Sequence, residues 1–157
     1  MRYLDALMFT LAFLIGGWAG CMAHTDSFTL RPRVETHQVY WDFQDSGALE
    51  QAMAEWNVVV GRVVFSPLRG ERPILVHMVQ DGYLEGNRIG QATVATDGCV
   101  ILIEASYWHN TDIFTHELGH CMGFDHTKND KNSIMYPDYT PGQTINDNLK
   151  TVLKKHL

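Results

Sequence analysis

Residues 116–126 read HELGHCMGFDH, and this stretch decides how the whole chain is read. His116 and His120 stand four apart. On a helix that spacing puts both imidazoles on one side, one turn apart. Two ring nitrogens can then reach one zinc ion at ~2.0–2.1 Å. Glu117 follows the first ligand and projects toward the ion's open position, where it can handle a water molecule. A third ligand converges on the same ion only if the helix stops and the chain turns sharply. Gly123 suits that stop, because glycine tolerates the left-handed backbone such endings often use. His126 then arrives three residues later. Chance matches to the five fixed positions of H-E-x-x-H-x-x-G-x-x-H occur in about one chain of this length in ten thousand. The pattern therefore predicts one catalytic Zn2+ held by His116, His120 and His126, each needed for tight binding, with Glu117 as general base.

A second element agrees. Ser133-Ile134-Met135-Tyr136-Pro137 places Met135 nine residues after His126, and an extended His pattern followed by such a turn is the metzincin signature. The chain resembles the metzincin zinc endopeptidases and, within them, is most similar to the matrixins, over about Thr36 to Leu157. The resemblance implies an α/β (α+β) zincin-like catalytic domain. Its sheet would be five-stranded, mixed and mostly parallel, packed with an N-terminal helix, an active-site helix and a C-terminal helix. It implies that Met135 forms an apolar floor beneath the zinc. It also implies that Gln91, Ala92, Thr93 and Val94 form the upper rim of the cleft, pairing with an extended peptide substrate, and that Pro137, Asp138 and Tyr139 line the specificity pocket. Asp112 and Asp138 together suggest a basic side chain after the cut, although Asp112 reads more simply as a first-turn acid facing the helix dipole.

The chain departs from these families in places. No pro-domain with an inhibitory Cys is expected, so control by a zymogen is in doubt. The loop from Asp81 to Asn87 lacks a clear second His-and-carboxylate set, so no structural zinc is expected. Pro137 stands where astacin-like enzymes place a Tyr ligand.

The remaining elements follow from periodicity. Gln38 to Phe43 reads as a strand. Ser46 can cap a helix with apolar positions Leu49, Ala52, Met53 and Trp56. Arg62–Phe65 reads as a short strand, Ile74–Val79 as a nearly all-apolar buried strand, and Ile89–Ala95 and Cys99–Ile103 as two more. Asp97-Gly98 marks a hairpin between the last two. Helices are expected from Thr111 to Met122 and from Asn146 to Leu157.

The 157 residues suit one domain. Hydrophobic residues are 45% and charged residues 19%, a globular composition. Lys+Arg number 12 against 18 Asp+Glu, a net charge of −6, which argues against nucleic acid as a partner. Residues 1–23 look like a secretory segment: Arg2, an apolar run over Ala6–Ile15, then Gly16-Gly17-Trp18-Ala19-Gly20-Cys21. That ending resembles a lipobox with Cys21 as the lipidated residue. Ordinary cleavage near Ala19 or Ala23 and an uncleaved anchor are the alternatives. Residues 24–35 read as a tether and 36–157 as the catalytic domain. The expected location is extracytoplasmic, either lipid-anchored or secreted, with membrane contact only through that N-terminus. Three Cys are too few for a disulfide scaffold, and Cys99 and Cys121 either bridge or fill core space. His24, His37, His77, His109 and His156 lack ligand spacing.

The function expected is an extracytoplasmic endopeptidase, monomeric, acting on a protein or peptide through a zinc-activated water. Two alternatives stand beside it. One is a non-catalytic envelope binding protein on the same fold. The other is a zinc hydrolase that cuts cell-wall peptides.

Overall fold

The computed structural model describes residues 36–41, 47–67 and 73–155. The expected secretory segment, Cys21, the tether and the Ser46 cap lie outside these residues. Five strands are present: β1 (His37–Trp41), β2 (Phe65–Ser66), β3 (Pro73–Val79), β4 (Gly90–Val94) and β5 (Cys99–Glu104). The helices are α1 (Gly47–Val60), α2 (Thr111–Cys121) and α3 (Asp147–Lys154), with a short 3₁₀ turn at Ala105–Tyr107. The strands form one sheet in the order β2-β1-β3-β5-β4, parallel except where β4 pairs antiparallel with β5. Fold class and strand number agree with the sequence reading, and the Asp97-Gly98 turn does join β4 to β5. Ala95 N–H donates to the Gly98 carbonyl there, at 2.9 Å.

The core lies between the sheet and the helices. α1 buries Leu49, Ala52, Met53 and Trp56, as their three-and-four spacing requires, and adds Val60. Trp56 is fully buried, stacks on Phe124 and donates from Nε1 to the Thr115 carbonyl at 2.8 Å. This bond joins the N-terminal helix to the helix that carries HELGH. Ile74, Val76, Cys99, Ile101 and Ile103 give the sheet's buried face.

Some expectations need correction. The strand expected at Arg62–Phe65 is only Phe65–Ser66. The Asn57 carboxamide explains this: its Oδ1 accepts from Val64 and Phe65 N–H, and its Nδ2 donates to the Phe65 carbonyl. The N–H groups of Val64 and Phe65 are therefore taken by α1, while the Val64 carbonyl still accepts from His37 N–H of β1 at 2.6 Å. β3 is not buried on both faces, since Leu75 and His77 are half-buried and Met78 is 51% exposed. Its apolar run reflects a central place in the sheet more than two packed layers. The C-terminal helix stops at Lys154, because Leu153 is its last buried position and Lys154 and Lys155 face solvent.

Candidate metal centre

α2 begins at Asn110, whose side chain accepts from Asp112 N–H at 3.0 Å and satisfies a donor that the first turn leaves open. The helix ends where Gly123 takes φ +93°, the left-handed conformation. Gly123 N–H donates to the His120 carbonyl and Phe124 N–H to the Gly119 carbonyl, closing the last turn. The chain then doubles back and delivers His126.

The three Nε2 atoms converge. They lie 3.1 Å apart for His116–His120 and His120–His126, and 3.2 Å for His116–His126. His116 Nδ1 meets the Ile134 carbonyl at 2.5 Å, and His120 Nδ1 meets the Phe124 carbonyl at 2.7 Å. A carbonyl only accepts, so in both rings the proton sits on Nδ1 and Nε2 presents a bare lone pair. Lone pairs packed this closely repel one another unless a cation lies among them. A tetrahedral ion with ~2.0–2.1 Å bonds needs nitrogens about 3.3–3.4 Å apart, which a shift of a few tenths of an ångström supplies. The donor set therefore fits zinc. Among the described residues, this is the one cluster of three such side chains close enough to share an ion.

Electrostatics agree with ligation by neutral rings. Burial, and then the positive charge His120 would carry, push His116 down to about 4, against the opposing bond to Ile134. Burial lowers His120 and His126 as well, opposed in both by Asp125. Metal binding needs unprotonated imidazole, so all three shifts favour it at neutral pH.

Glu117 is 5% exposed and points away from the ligand cluster's own helix toward β4. Burial pushes its carboxyl up to about 8, and a hydrogen bond from the Ala92 backbone pulls the other way. β4 is the edge strand, so Gln91, Ala92, Thr93 and Val94 pair on one side only, with β5.

Met135 is fully buried beneath α2, and its sulfur packs where Gly119 has no side chain. Its turn reaches two of the three histidine segments at once. The Ile134 carbonyl fixes His116, and the Met135 carbonyl accepts from Thr127 N–H, next to His126, at 2.9 Å. Of the expected pocket residues, Pro137 and Asp138 are exposed and Tyr139 is half-buried. The Tyr139 hydroxyl accepts from Asn110 Nδ2 at 2.8 Å. Asp112 Oδ2 accepts from Gly142 N–H at 3.4 Å, so this acid ties the segment after the turn to the start of α2. Cys99 and Cys121 form a disulfide with Cα atoms 5.7 Å apart.

Three residues here escaped the sequence reading. Gly90 lies where an added Cβ would stand 2.6 Å from Glu117 Oε1. Gln143 is buried and bridges the Lys131 and Asp138 carbonyls. Asp81 caps the 3₁₀ turn by accepting from the Ser106 N–H and hydroxyl. Gly90 opens a strand pattern, a hint of close approach; the other two have no local sequence mark.

No curated protein matches the chain. The sequence model of the matrixin family matches residues 18–152, spanning the edge strand, the helix with His116 and His120, the turn to His126 and the Met135 turn. A family match over that length, together with a donor set built for zinc, gives one answer: the chain belongs to the matrixins, a family of zinc metalloendopeptidases.

Proposed function

We propose that this protein is an extracytoplasmic zinc endopeptidase in which His116, His120 and His126 hold the ion and Glu117 is the general base. The observation that carries the reading is the meeting of three Nε2 atoms at 3.1–3.2 Å, with the buried Glu117 directly following His116 on α2. Zinc, when bound, supplies Lewis-acid polarisation of water and of the peptide carbonyl. Glu117 takes the proton from the attacking water, holds it on its carboxylate and passes it to the leaving amine nitrogen. Burial makes the carboxyl a stronger base, and the positive charge of a bound ion would oppose that shift and keep Glu117 ionised to accept the proton. Apart from the Ala92 backbone group that bonds Glu117, the β4 edge offers backbone groups to an extended peptide, with Gln91, Ala92, Thr93 and Val94 as the rim. Pro137, Asp138 and Tyr139 line the far side of the pocket, and Met135 supports the centre from below.

A location outside the cytoplasm is supported by the Cys99–Cys121 disulfide, which persists in oxidising compartments, and by the apolar segment ending at Cys21. Among the described residues no helix is long and apolar enough to cross a membrane. The purified protein should cleave casein, lose this activity to a chelator and regain it with zinc. Cleavage of cell-wall peptides alone, tested side by side, would favour the narrower hydrolase. Binding without cleavage of either would favour the non-catalytic reading.

Gly90 gives a finer test. Gly90→Ala should force the Glu117 carboxylate aside, since Ile113 and Ile103 atoms already stand 3.0 and 3.1 Å from the same point. We expect kcat to fall by about tenfold to a hundredfold while zinc content holds, as roughly a 1 Å misplacement can do. An unchanged kcat would show that Glu117 has room to adjust.

A further inference from the structure

The disulfide joins two parts of the site that the family chemistry needs in register. Cys121 directly follows the ligand His120 and lies in the last turn of α2. The next three residues make the reversal: Met122 caps the helix, Gly123 turns the chain and the Phe124 carbonyl fixes His120 Nδ1. Cys99 opens β5, opposite Val94 of the substrate edge and beside Ile74 of β3. The bond therefore pins the helix stop that delivers His126 to the hairpin that ends the edge strand. The turn is otherwise packed inward, with Met122 and Phe124 buried and Phe124 stacked on Trp56, while its side toward the sheet's end borders a cavity of about 740 Å³. Both cysteines line this cavity, together with Val94, Thr96 and Gly123. Val94 and Thr96 are exposed at its rim, while Cys99 and Cys121 keep 4% and 8% exposure. The cavity whose wall these cysteines form is the side from which a small reductant would approach the bridge.

We propose that the Cys99–Cys121 disulfide is a redox-addressed lock on the metal centre, holding it ready when oxidised and loosening its grip on zinc when reduced. The inference rests on the zinc reading of the three histidines. The step is a two-electron reduction by a dithiol. One thiolate of the reductant attacks a sulfur of the bridge, and the Sγ–Sγ bond breaks to give a mixed disulfide. The second thiolate displaces the remaining protein sulfur. Cys99 and Cys121 end as thiols carrying two protons, and the dithiol leaves as its cyclic disulfide. Released from the sheet, the turn at 121–124 no longer holds His120 and His126 in mutual register. A chain made in reducing surroundings would then bind zinc poorly until it reached oxidising ones.

The test is zinc affinity of the full chain by competition with a chromogenic chelator, oxidised against reduced. A phosphine serves as reductant; it makes the same two thiols and leaves as its oxide, with oxygen and protons from water. Reduction should weaken zinc binding roughly tenfold, the scale of losing a support behind a ligand. The Cys99→Ser/Cys121→Ser variant should match the reduced protein and ignore the phosphine. If that variant does not fold, the reduced parent chain, checked by far-ultraviolet circular dichroism, stands alone as the test. Cobalt-loaded samples give a second readout: the visible ligand-field bands should weaken on reduction. A fall in zinc affinity smaller than fivefold overturns the lock. So does a near-ultraviolet thiolate band in the reduced cobalt protein, since Cys121 would then have joined the ion. Failure of the oxidised protein to bind zinc at all would instead strike the zinc reading itself.

Discussion

Glu117→Gln should bind zinc as tightly as the parent chain and lose peptide hydrolysis by about 10³–10⁴-fold, the upper range for a positioned acid–base group. Gln fills nearly the same volume, so no cavity opens beneath β4 where the side chain is buried. What it cannot do is accept a proton from water or return one to an amine. The metal donors are three imidazoles on other positions, so metal content should not follow activity. Casein cleavage and metal analysis on one sample check both halves, and activity within tenfold of the parent would remove Glu117 as base. The zinc-free protein offers an independent check. The Glu117 carboxyl is raised to about 8 by burial, so between its unfolded value near 4.5 and pH 8 the folded state binds the extra proton. Stability contributed by this group therefore falls as pH rises through that window. The lowered histidines act in the opposite sense below about 6.5. The clean interval is pH 6.5–8, where zinc-free parent chain should lose melting temperature and zinc-free Glu117→Gln should not.

Much of this site is legible in sequence because it is local. His116, His120 and Glu117 share a helix, and helix geometry alone fixes their relation. His126 needs one turn more, and Gly123 marks it. The edge-strand position of β4 is different: it came from family resemblance, since no spacing within Gly90–Val94 says which strand borders the sheet. What sequence could not give are ties across long separations. Asn57 holding the start of β2 is eight residues away, Asp81 capping Ser106 is 25, and Trp56 bonding to Thr115 is 59. Asn57 and Asp81 look in sequence like any solvated residue, and Trp56 reads as core without naming the carbonyl its ring N–H meets. The disulfide sat between these cases. Two cysteines 22 apart were visible, but only the packing of α2 on β5 brings their Cα atoms within bonding range. The apolar run of β3 misleads for the same reason, because it reports how hydrophobic a strand is and not how many layers cover it.

Gly119→Ala should look favourable and prove damaging. Helix propensity alone awards alanine about 1 kcal/mol over glycine in a helix interior. Gly119, however, faces inward between the ligand turns, and its added Cβ would stand 2.5 Å from Met135 Sδ and 3.1 Å from Trp56 Cζ2. Both neighbours are fully buried, and Trp56 is also held by its bond to Thr115, so neither can retreat into solvent. Overpacking of this kind costs ~1–3 kcal/mol, enough to cancel the helix gain or exceed it. The larger effect should be on zinc. Met135 is the easier group to displace, and its turn supports His116 through the Ile134 carbonyl and the His126 segment through Thr127 N–H. Moving it should disturb two ligands together and weaken zinc binding roughly tenfold to a hundredfold, although the metal itself is never touched. Pairing Gly119→Ala with Met135→Ala makes room for the new methyl group. If crowding is the cause, the two substitutions should show a coupling of at least ~1 kcal/mol in a stability cycle. A Gly119→Ala protein that melts higher and keeps its zinc would mean that helix and turn are not locked together, and that the ligand positions are set by α2 alone.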